Sequence, residues 1–270
     1  MLKNITALSL LCLVTGSLWA SESSVDSSTT QAPPKAFNPN PYPWGIGFGG
    51  IFAPNPYIDS KASQLFIPVI SYQGQDFSLY GPYANYRFLR VNNFTTSIQA
   101  FLYPETFKSK DTSNPQLSQL NNRNYIVMAG IKQQYDTDYG NISVAGNIDI
   151  TGQSNGYMLN LNYAKRFMFF MPNHLLSLTP SLGVDYSSYH LTDYYYGITQ
   201  SESVASGLPG YSPGGALSPY IGLSMLYSYK QRWNVMITTR MNRLADEITN
   251  SPMVGKRVIF TSVATLTYGF

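Results

Sequence analysis

Apolar side chains recur at every second position along most of the chain from Trp44 onward. In the last segment, 258–270, large residues such as Phe260 and Leu266 occupy one parity and threonines occupy the other, with Val263 as an apolar exception. A two-residue period is typical of a β-strand with one apolar and one polar face. The same alternation predicts strands over about 44–52, 64–73, 76–89, 92–102, 123–135, 142–150, 157–163, 176–186, 219–229 and 233–242.

The strands predict an all-β fold, a transmembrane antiparallel β-barrel. Each segment has about ten residues, which is the length of a tilted strand that crosses a bilayer. Aromatic residues recur at strand ends, as in the interfacial girdles of membrane proteins. A soluble β-sandwich also alternates, but its solvent face carries many charges and these strands carry few. Twelve strands are expected if Gly81-Pro82 divides segment 76–89 into a hairpin, and ten strands are the alternative.

Composition agrees with a membrane barrel and excludes other classes. The chain has 270 residues, of which 11% are charged, compared with about 25% in an ordinary soluble domain. Tyrosine, with 22 copies, outnumbers lysine and arginine together, and the net charge is only +3. Such a chain has neither the charge excess of a disordered protein nor the basic footprint of a nucleic-acid-binding protein. Long apolar helical runs are also missing from the sequence.

The N-terminal region predicts export and three regions. Residues 1–20 combine Lys3, a short apolar stretch and a small-residue end, which is typical of a cleaved signal peptide. Residues 21–43 are rich in serine, threonine and proline and predict a flexible periplasmic leader. Residues 44–270 form the predicted barrel. The single cysteine, Cys12, lies in the signal peptide, so the mature chain has no disulfide and no cysteine metal site.

Long and short connections alternate along the predicted strands. Segments 104–122, 190–217 and 245–256 are long, which is typical of extracellular loops, whereas turns such as 136–138 and 230–231 are short. Long loops are where functional contacts are expected. Exposed tyrosine clusters make effective anchors for partners. The tyrosines of the second loop have two interpretations, a partner-binding loop or a cluster that packs within the loop. They are Tyr194, Tyr195, Tyr196 and Tyr211.

Several residues suggest chemistry but have simpler interpretations. The glycine-rich segment 45–50 is followed by no helix, so it indicates a barrel strand and not a phosphate-binding turn. His190, near Ser187, Ser188 and Asp193, suggests a hydrolase site, but a solvated loop histidine is the better interpretation. His174 begins a strand. We expect no catalytic residue, metal or cofactor.

Adjacent carboxylates also have simpler interpretations. Asp246 and Glu247 are neighbours in what reads as an extended segment, so their side chains would point apart and not form an acid–base pair. The pair Asp136 and Asp138 is too small a set for a metal site.

Ionisable residues fall at inward positions of the predicted strands. A narrow lumen leaves little room for water, so we expect these residues to pair inside the barrel and not to line a pore. They are Lys132, Asp149, Arg166, Asp185 and Arg240.

The final residues Tyr268-Gly269-Phe270 resemble the assembly signal of bacterial outer-membrane barrels. In this signal the last strand ends in an aromatic residue, and a second aromatic residue lies two positions before it. The resemblance implies recognition of Tyr268 and Phe270 by the barrel assembly machinery and insertion into outer-membrane lipid.

A broader resemblance covers about 44–270. Its C-terminal part consists of Asp193-Tyr194-Tyr195-Tyr196-Gly197, the segment 242–247, Ser251-Pro252-Met253 and the terminal aromatic, and its N-terminal part of Pro54-Asn55-Pro56-Tyr57. In this order the motifs resemble the MipA/OmpV family of outer-membrane proteins. The resemblance implies a non-enzymatic scaffold that brings a lytic transglycosylase together with a bifunctional murein synthase. An adhesin and a small-solute pore are the alternatives.

Overall fold

The structure is a computed structural model that describes residues 41–103 and 105–270. The predicted signal peptide, 1–20, and leader residues 21–40 lie outside the described residues. Thirteen strand segments form one antiparallel sheet. They are β1 (Trp44–Ala53), β2 (Ser63–Gln73), β3 (Phe77–Tyr80), β4 (Tyr83–Val91), β5 (Phe94–Leu102), β6 (Val127–Thr137), β7 (Gly140–Asp149), β8 (Tyr157–Ala164), β9 (Phe167–Met171), β10 (His174–Ser187), β11 (Ala216–Tyr229), β12 (Trp233–Arg243) and β13 (Val258–Gly269).

The loops contain short helices that the alternating pattern did not predict. Three are α-helical and two are single 3-10 turns. They are α1 (Tyr189–Tyr196), α2 (Gln200–Ser206), α3 (Asp246–Thr249) and the 3-10 turns Ser109–Asp111 and Leu117–Gln119. Within the described part of the chain, no helix is long and apolar enough to cross a membrane.

The sheet closes into a barrel of twelve crossings, as predicted. The first strand pairs with the last, with Gly45 opposite Gly269. The segments β8 and β9 pair with successive parts of β10, so they are two halves of one crossing. The interruption between them lies opposite Pro180, which has no N–H to donate to the ladder. The amide of Lys165 still donates to the Pro180 carbonyl at 3.2 Å.

The predicted division of segment 76–89 is confirmed. The strands β3 and β4 form a hairpin around Gly81, whose φ of 53° suits glycine at a tight turn. The hairpin is short, because β3 pairs with only the last three residues of β2, Ser71 to Gln73.

The two-residue period separates the two faces of the wall. Outward residues such as Phe48 and Ile221 are 73% and 56% exposed, as expected of a lipid-facing surface. Inward residues such as Thr238 are buried. Val263, the apolar exception, packs inside the barrel in a small apolar cluster with Ile51, Val69, Tyr80 and Met236.

The two ends of the barrel differ. One end carries the long connections, and the other carries tight turns such as the three residues 230–232. There the φ angles of Lys230 and Gln231 are 50° and 58°, and the Arg232 amide donates to the Tyr229 carbonyl at 3.1 Å. Outer-membrane barrels have short turns on the periplasmic side and long loops outside. We assign the ends accordingly, so β1 begins and β13 ends at the periplasmic side.

Candidate functional site

The long connections pack together across the outer mouth of the barrel. We call them the loop cap, comprising residues 54–62, 103, 105–126, 188–215 and 244–257. Its buried core includes side chains from all four connections, with Tyr57, Phe107, Leu191 and Met253 each at most 1% exposed. The outer mouth is therefore occupied by a hydrophobic core and not by open loops.

The helix α1 places two tyrosines in this core. Tyr195 and Tyr196 are 1% and 4% exposed, and the ring of Tyr196 lies 5.8 Å from that of Tyr57. The Tyr57 hydroxyl donates to the Tyr195 carbonyl at 3.2 Å, and the Tyr195 hydroxyl donates to the Asn124 carbonyl at 3.1 Å. These bonds satisfy the polar ends of aromatic side chains that are otherwise buried. They join three of the four connections.

A buried ion pair joins α2 to the loop between β5 and β6. The helix begins with a capping box, in which the Thr199 hydroxyl accepts from the Glu202 amide and the Glu202 carboxylate accepts from the Thr199 amide. The same carboxylate accepts from the Arg123 guanidinium at 2.8 Å and from the Asn121 amide at 3.0 Å. These bonds hold the pKa of Glu202 below its usual value. Glu202 thus remains ionised and fixes the two loops to each other.

Glu105 is another carboxylate of the loop cap, and its environment differs from that of Glu202. Burial raises the pKa of Glu105 to about 7, although the carboxylate accepts a hydrogen bond from Tyr196. Four tyrosines face it, Tyr57, Tyr103, Tyr195 and Tyr196, and burial is the main reason why their pKa values are raised. Desolvation without a cation at hand disfavours the charged carboxylate. Glu105 therefore titrates near neutral pH.

The lumen below the loop cap contains a second ion pair. Arg240 donates to the carboxylate of Asp185, and its guanidinium lies 3.4 Å from the ring centre of Tyr220. Asn160 donates to the other Asp185 oxygen at 2.6 Å. The predicted pairing of Asp185 and Arg240 inside the barrel is confirmed. A cavity of about 50 Å³ lies nearer the periplasmic end, with Tyr80, Leu226 and Met236 among its lining residues.

Asp149 has a different role from that predicted. Its carboxylate accepts from the amides of Thr151 and Ser154 at 2.8 and 2.7 Å. It therefore organises the turn that follows β7 and does not take part in a lumen pair.

The two histidines lie at opposite ends of the barrel. His174 lies at the periplasmic end, where its Nδ1 is 2.6 Å from the Tyr227 hydroxyl. His190 is exposed in the first turn of α1 and packs edge-on against Tyr189. The Ser188 hydroxyl accepts from the Tyr157 amide, and the Asp193 carboxylate accepts from the Ser212 hydroxyl.

The carboxylate pairs and the glycine-rich segment are also explained. Asp246 and Glu247 lie in the first turn of α3, so the prediction that they occupy an extended segment is wrong. Among residues 41–103 and 105–270, no three His, Cys, Asp or Glu side chains group as metal ligands would. The segment 45–50 belongs to β1, as predicted, and a Cβ on Gly47 would lie 1.9 Å from the Leu266 carbonyl oxygen of β13. Glycine at this position permits the strands that close the barrel to approach each other.

Comparison with known proteins identifies the family. The sequence model of the family described as "MltA-interacting protein MipA" matches residues 46–270. The chain belongs to the MipA family. It is 34% identical to the MltA-interacting protein of Escherichia coli over 84% of this chain and 90% of that protein. It is 31% identical to the putative outer membrane protein YiaT of Escherichia coli, over 83% and 90%, and 24% identical to the outer membrane protein OmpV of Vibrio cholerae, over 84% and 86%.

The family places this MipA barrel in the bacterial outer membrane, as predicted. Its C-terminal aromatics lie in the periplasmic girdle. The ring of Tyr268 packs against Trp233 with centres 4.9 Å apart and its hydroxyl accepts from Arg232 at 2.8 Å. The Phe270 amide donates to the Trp44 carbonyl at 2.9 Å. The role of Tyr268 and Phe270 as an assembly signal stays a prediction.

The tyrosines predicted to bind a partner are divided in this MipA family member. Tyr195 and Tyr196 lie in the core of the loop cap. Tyr194 and Tyr211 are partly exposed and hydrogen-bonded, the Tyr194 hydroxyl to Gln153 at 2.9 Å and the Tyr211 hydroxyl to the Glu247 carbonyl at 2.8 Å. A partner-binding role stays a prediction, and burial restricts it to the second pair.

Sequence reasoning missed three features of this MipA barrel. The Thr-x-x-Glu sequence that begins at Thr199 is typical of a capping box, and it could have indicated Glu202, the partner of Arg123. Nothing in the pattern singles out Glu105, because its environment comes from loops distant in sequence. The strand β9, with the sequence Phe-Met-Phe-Phe-Met, has no alternation to detect, and all five of its residues are exposed.

Proposed function

We propose that this protein is a non-enzymatic outer-membrane scaffold that holds a lytic transglycosylase and a bifunctional murein synthase at its periplasmic face. The observation that carries this proposal is the 34% identity to the MltA-interacting protein of Escherichia coli. The similarity covers 84% of this chain and 90% of that protein, so it includes the barrel and its loops together.

The geometry supports placing the partners at the periplasmic end. Murein lies in the periplasm, so a murein enzyme meets the short turns and not the loop cap. The lumen is crossed by the Asp185–Arg240 pair and its outer mouth is filled by the core of the loop cap. An occupied lumen supports a role in binding other proteins over a role in transporting solutes.

The contacts of the loop residues support a non-enzymatic role. A hydrolase built on His190 would need a serine or an aspartate oriented toward the imidazole. The Ser188 hydroxyl and the Asp193 carboxylate are instead bonded to Tyr157 and Ser212.

The tyrosines of the loop cap belong to a separate prediction. A partner held by Tyr194, Tyr195, Tyr196 and Tyr211 would bind from outside the cell, because these residues lie on the outer end of the barrel. Tyr194 and Tyr211 would supply the contacts, while Tyr195 and Tyr196 would hold the surface in place from below.

The scaffold is tested by reconstitution with purified components. The refolded full-length mature barrel is immobilised in detergent micelles, and a lytic transglycosylase and a bifunctional murein synthase from the same bacterium are added singly and together. We expect each enzyme to be retained alone and both to be retained in one complex. Heat-unfolded barrel serves as the control for non-specific adsorption.

A variant without residues 21–40 separates the leader from the barrel. Equal retention by this variant would place the contact on the barrel, and loss would place it on the leader. If the folded full-length barrel, verified by heat-modifiable migration in electrophoresis, retains neither enzyme, the scaffold proposal is wrong.

A further inference from the structure

The strand β9 extends beyond the neighbouring part of the barrel wall. On that side the wall is β7, which begins at Gly140 and pairs with the last residue of β8, Ala164, through Asn141. All five residues of β9 lie beyond the start of β7 on the periplasmic side, over a length of about 16 Å along the strand. In the sheet order β9 is a terminal strand that pairs with β10 alone. It therefore presents one free edge on the periplasmic side.

Two residues of β9 direct their backbone groups toward this free edge. The Lys165 amide donates to Pro180 of β10, and the register continues unchanged from β8 into β9. Because N–H and C=O groups alternate between the two sides of an antiparallel strand, Phe167, Phe169 and Met171 bond to β10. The backbone groups of Met168 and Phe170 then point to the free edge.

The side chains around this edge are apolar on both faces of the strand. Phe169 and Met171, 50% and 49% exposed, share the outward face with Leu176 of β10. Met168 and Phe170 face the other way, and Phe170 is 74% exposed. Lipid explains the outward face but not the inward one. Runs of exposed apolar residues and free strand edges are normally avoided in water because they pair with other chains.

A cation lies at one end of the strand. The Lys165 ammonium, in the segment that joins β8 to β9, is 5.7 Å from the ring centre of Phe167. The Lys230 ammonium lies over the ring of Tyr229 in β11, which is on the other side of β10 from the free edge. An incoming strand would therefore meet apolar side chains along β9 and a positive charge at the Lys165 end.

We propose that the free edge of β9 is the docking site for an extended segment of a periplasmic partner, which adds to the sheet as a further strand. The complementary segment has apolar residues at alternate positions and an acidic residue near the end that meets Lys165. This inference rests on the scaffold function proposed above and names its contact surface. Strand addition gains main-chain hydrogen bonds for affinity and side-chain contacts for specificity.

Two other occupants fit less well. Residues 21–40 of the predicted leader are dominated by serine, threonine, proline and asparagine and have little apolar surface to offer. A second copy in the same membrane has the same orientation, so its β9 would run parallel to this one and could not continue the antiparallel order of the sheet. An apolar segment of a periplasmic partner avoids both difficulties.

The edge is tested with two substitutions, one that affects the free edge and one that affects the lipid-facing side of β9. Phe170→Pro removes the N–H that points to the free edge, and the ladder with β10 is kept because that N–H is not part of it. Phe169→Ala removes a neighbouring phenyl ring from the lipid-facing side. Affinity for the purified lytic transglycosylase and murein synthase is measured with the full-length barrel. We expect at least a tenfold loss with Phe170→Pro and less than a twofold change with Phe169→Ala.

A cross-linking experiment covers the case in which Phe170→Pro fails to fold. The predicted mature chain has no cysteine, so Phe170→Cys and the control Phe48→Cys, on the lipid face of β1, carry unique thiols. We expect a thiol-linked photoprobe at position 170, and not at position 48, to label a bound enzyme. If wild type binds but Phe170→Pro binds equally, or position 170 gives no adduct, strand addition is wrong and the scaffold stands. If wild type binds neither enzyme, the scaffold itself fails.

Discussion

Two buried arginines, one inside the barrel and one in the loop cap, are each paired with a carboxylate. Arg240 has the Asp185 carboxylate on one side and the Tyr220 ring below it, and Arg123 has Glu202. Transferring a charge from water into a protein interior is costly unless a partner and further hydrogen bonds compensate it. Removing one member of a pair therefore leaves a buried charge without compensation, and this destabilises the protein more than removing both members does.

Removing one member of the lumen pair should destabilise the barrel strongly. In Asp185→Ala the guanidinium of Arg240 stays buried without its carboxylate, so we expect a loss of about 3–5 kcal/mol in the free energy of unfolding. Urea unfolding of the barrel in lipid vesicles measures it. Asp76→Ala, which breaks the exposed pair with Arg90, is the matched control and should cost less than about 1 kcal/mol. Equal effects of the two substitutions would contradict the argument.

Glu105 should make the loop cap sensitive to pH. Its pKa is raised from the usual 4.5 to about 7, so the packed loop cap binds the proton more tightly than the open one. Below pH 4.5 both forms are protonated and the cap is most stable. Between pH 4.5 and 7 the open form loses its proton first, and the cap loses up to about 3 kcal/mol. Above pH 7 both are ionised and the loss is complete.

Limited proteolysis of the loops in the folded barrel checks this dependence. We expect faster cleavage at pH 8 than at pH 5, after correction for protease activity with an unfolded substrate. In Glu105→Gln the difference between the two pH values should disappear, because the amide does not titrate. A wild-type barrel whose loops are cleaved at the same corrected rate at both pH values would disprove the role of Glu105.

Among the secondary-structure elements, the regular strands follow from the sequence and the exceptions have physical causes. Alternation predicts β10 to β13 within a few residues because one face meets lipid and the other a polar lumen. It fails at β9, where both faces are apolar. It fails again at α1 and α2. Packing within the loop cap and the N-terminal capping box at Thr199 determine these helices, and a two-residue period carries no information about either.

Prolines within strands mark the places where the ladder is incomplete. Pro180 of β10 lies opposite the break between β8 and β9, and Pro219 of β11 lies just outside the register of β11 with β12, which begins at Tyr220. Pro68 of β2 lies beyond the three residues that pair with β3. A residue without an N–H is tolerated where no neighbouring strand needs one. These positions could have been identified from the sequence as limits of strand pairing.

The last strand should depend on its terminal aromatic for assembly. Phe270→Ala is expected to lower the amount of folded barrel in the outer membrane several-fold, because the predicted recognition signal is lost. Phe260→Ala removes an equally aromatic, lipid-facing side chain from the same strand and is the control. The heat-modifiable fraction in isolated outer membranes measures both. Normal assembly of Phe270→Ala would show that the signal lies elsewhere.

On the scale of the whole molecule, the barrel is closed at the outer mouth by its own loops. The core of the loop cap combines residues from all four long connections, and the Arg123–Glu202 pair joins two of them. Such an arrangement predicts a low ion conductance for the intact protein. It also predicts that conductance can be raised by loosening the cap without altering the wall.

Replacing residues 199–210 by a short glycine-serine linker should loosen the loop cap. This change removes α2 and with it Glu202, the buried partner of Arg123. We expect larger and more variable single-channel currents than for wild type in planar bilayers. Ser203→Ala, which alters α2 but keeps the ion pair, is the control. Identical currents for wild type and the linker variant would show that the cap does not control the passage of ions.

The pairing of β1 with β13 imposes an order on biogenesis. The two edges that must meet are separated by nearly the whole length of the polypeptide, so the wall cannot be completed until the final residues have been exported. Contacts of such large sequence separation form slowly because a long loop must be closed first. During that delay the lipid-facing residues of every strand are exposed to water. The nascent barrel therefore needs protection from aggregation in the periplasm until its last strand arrives.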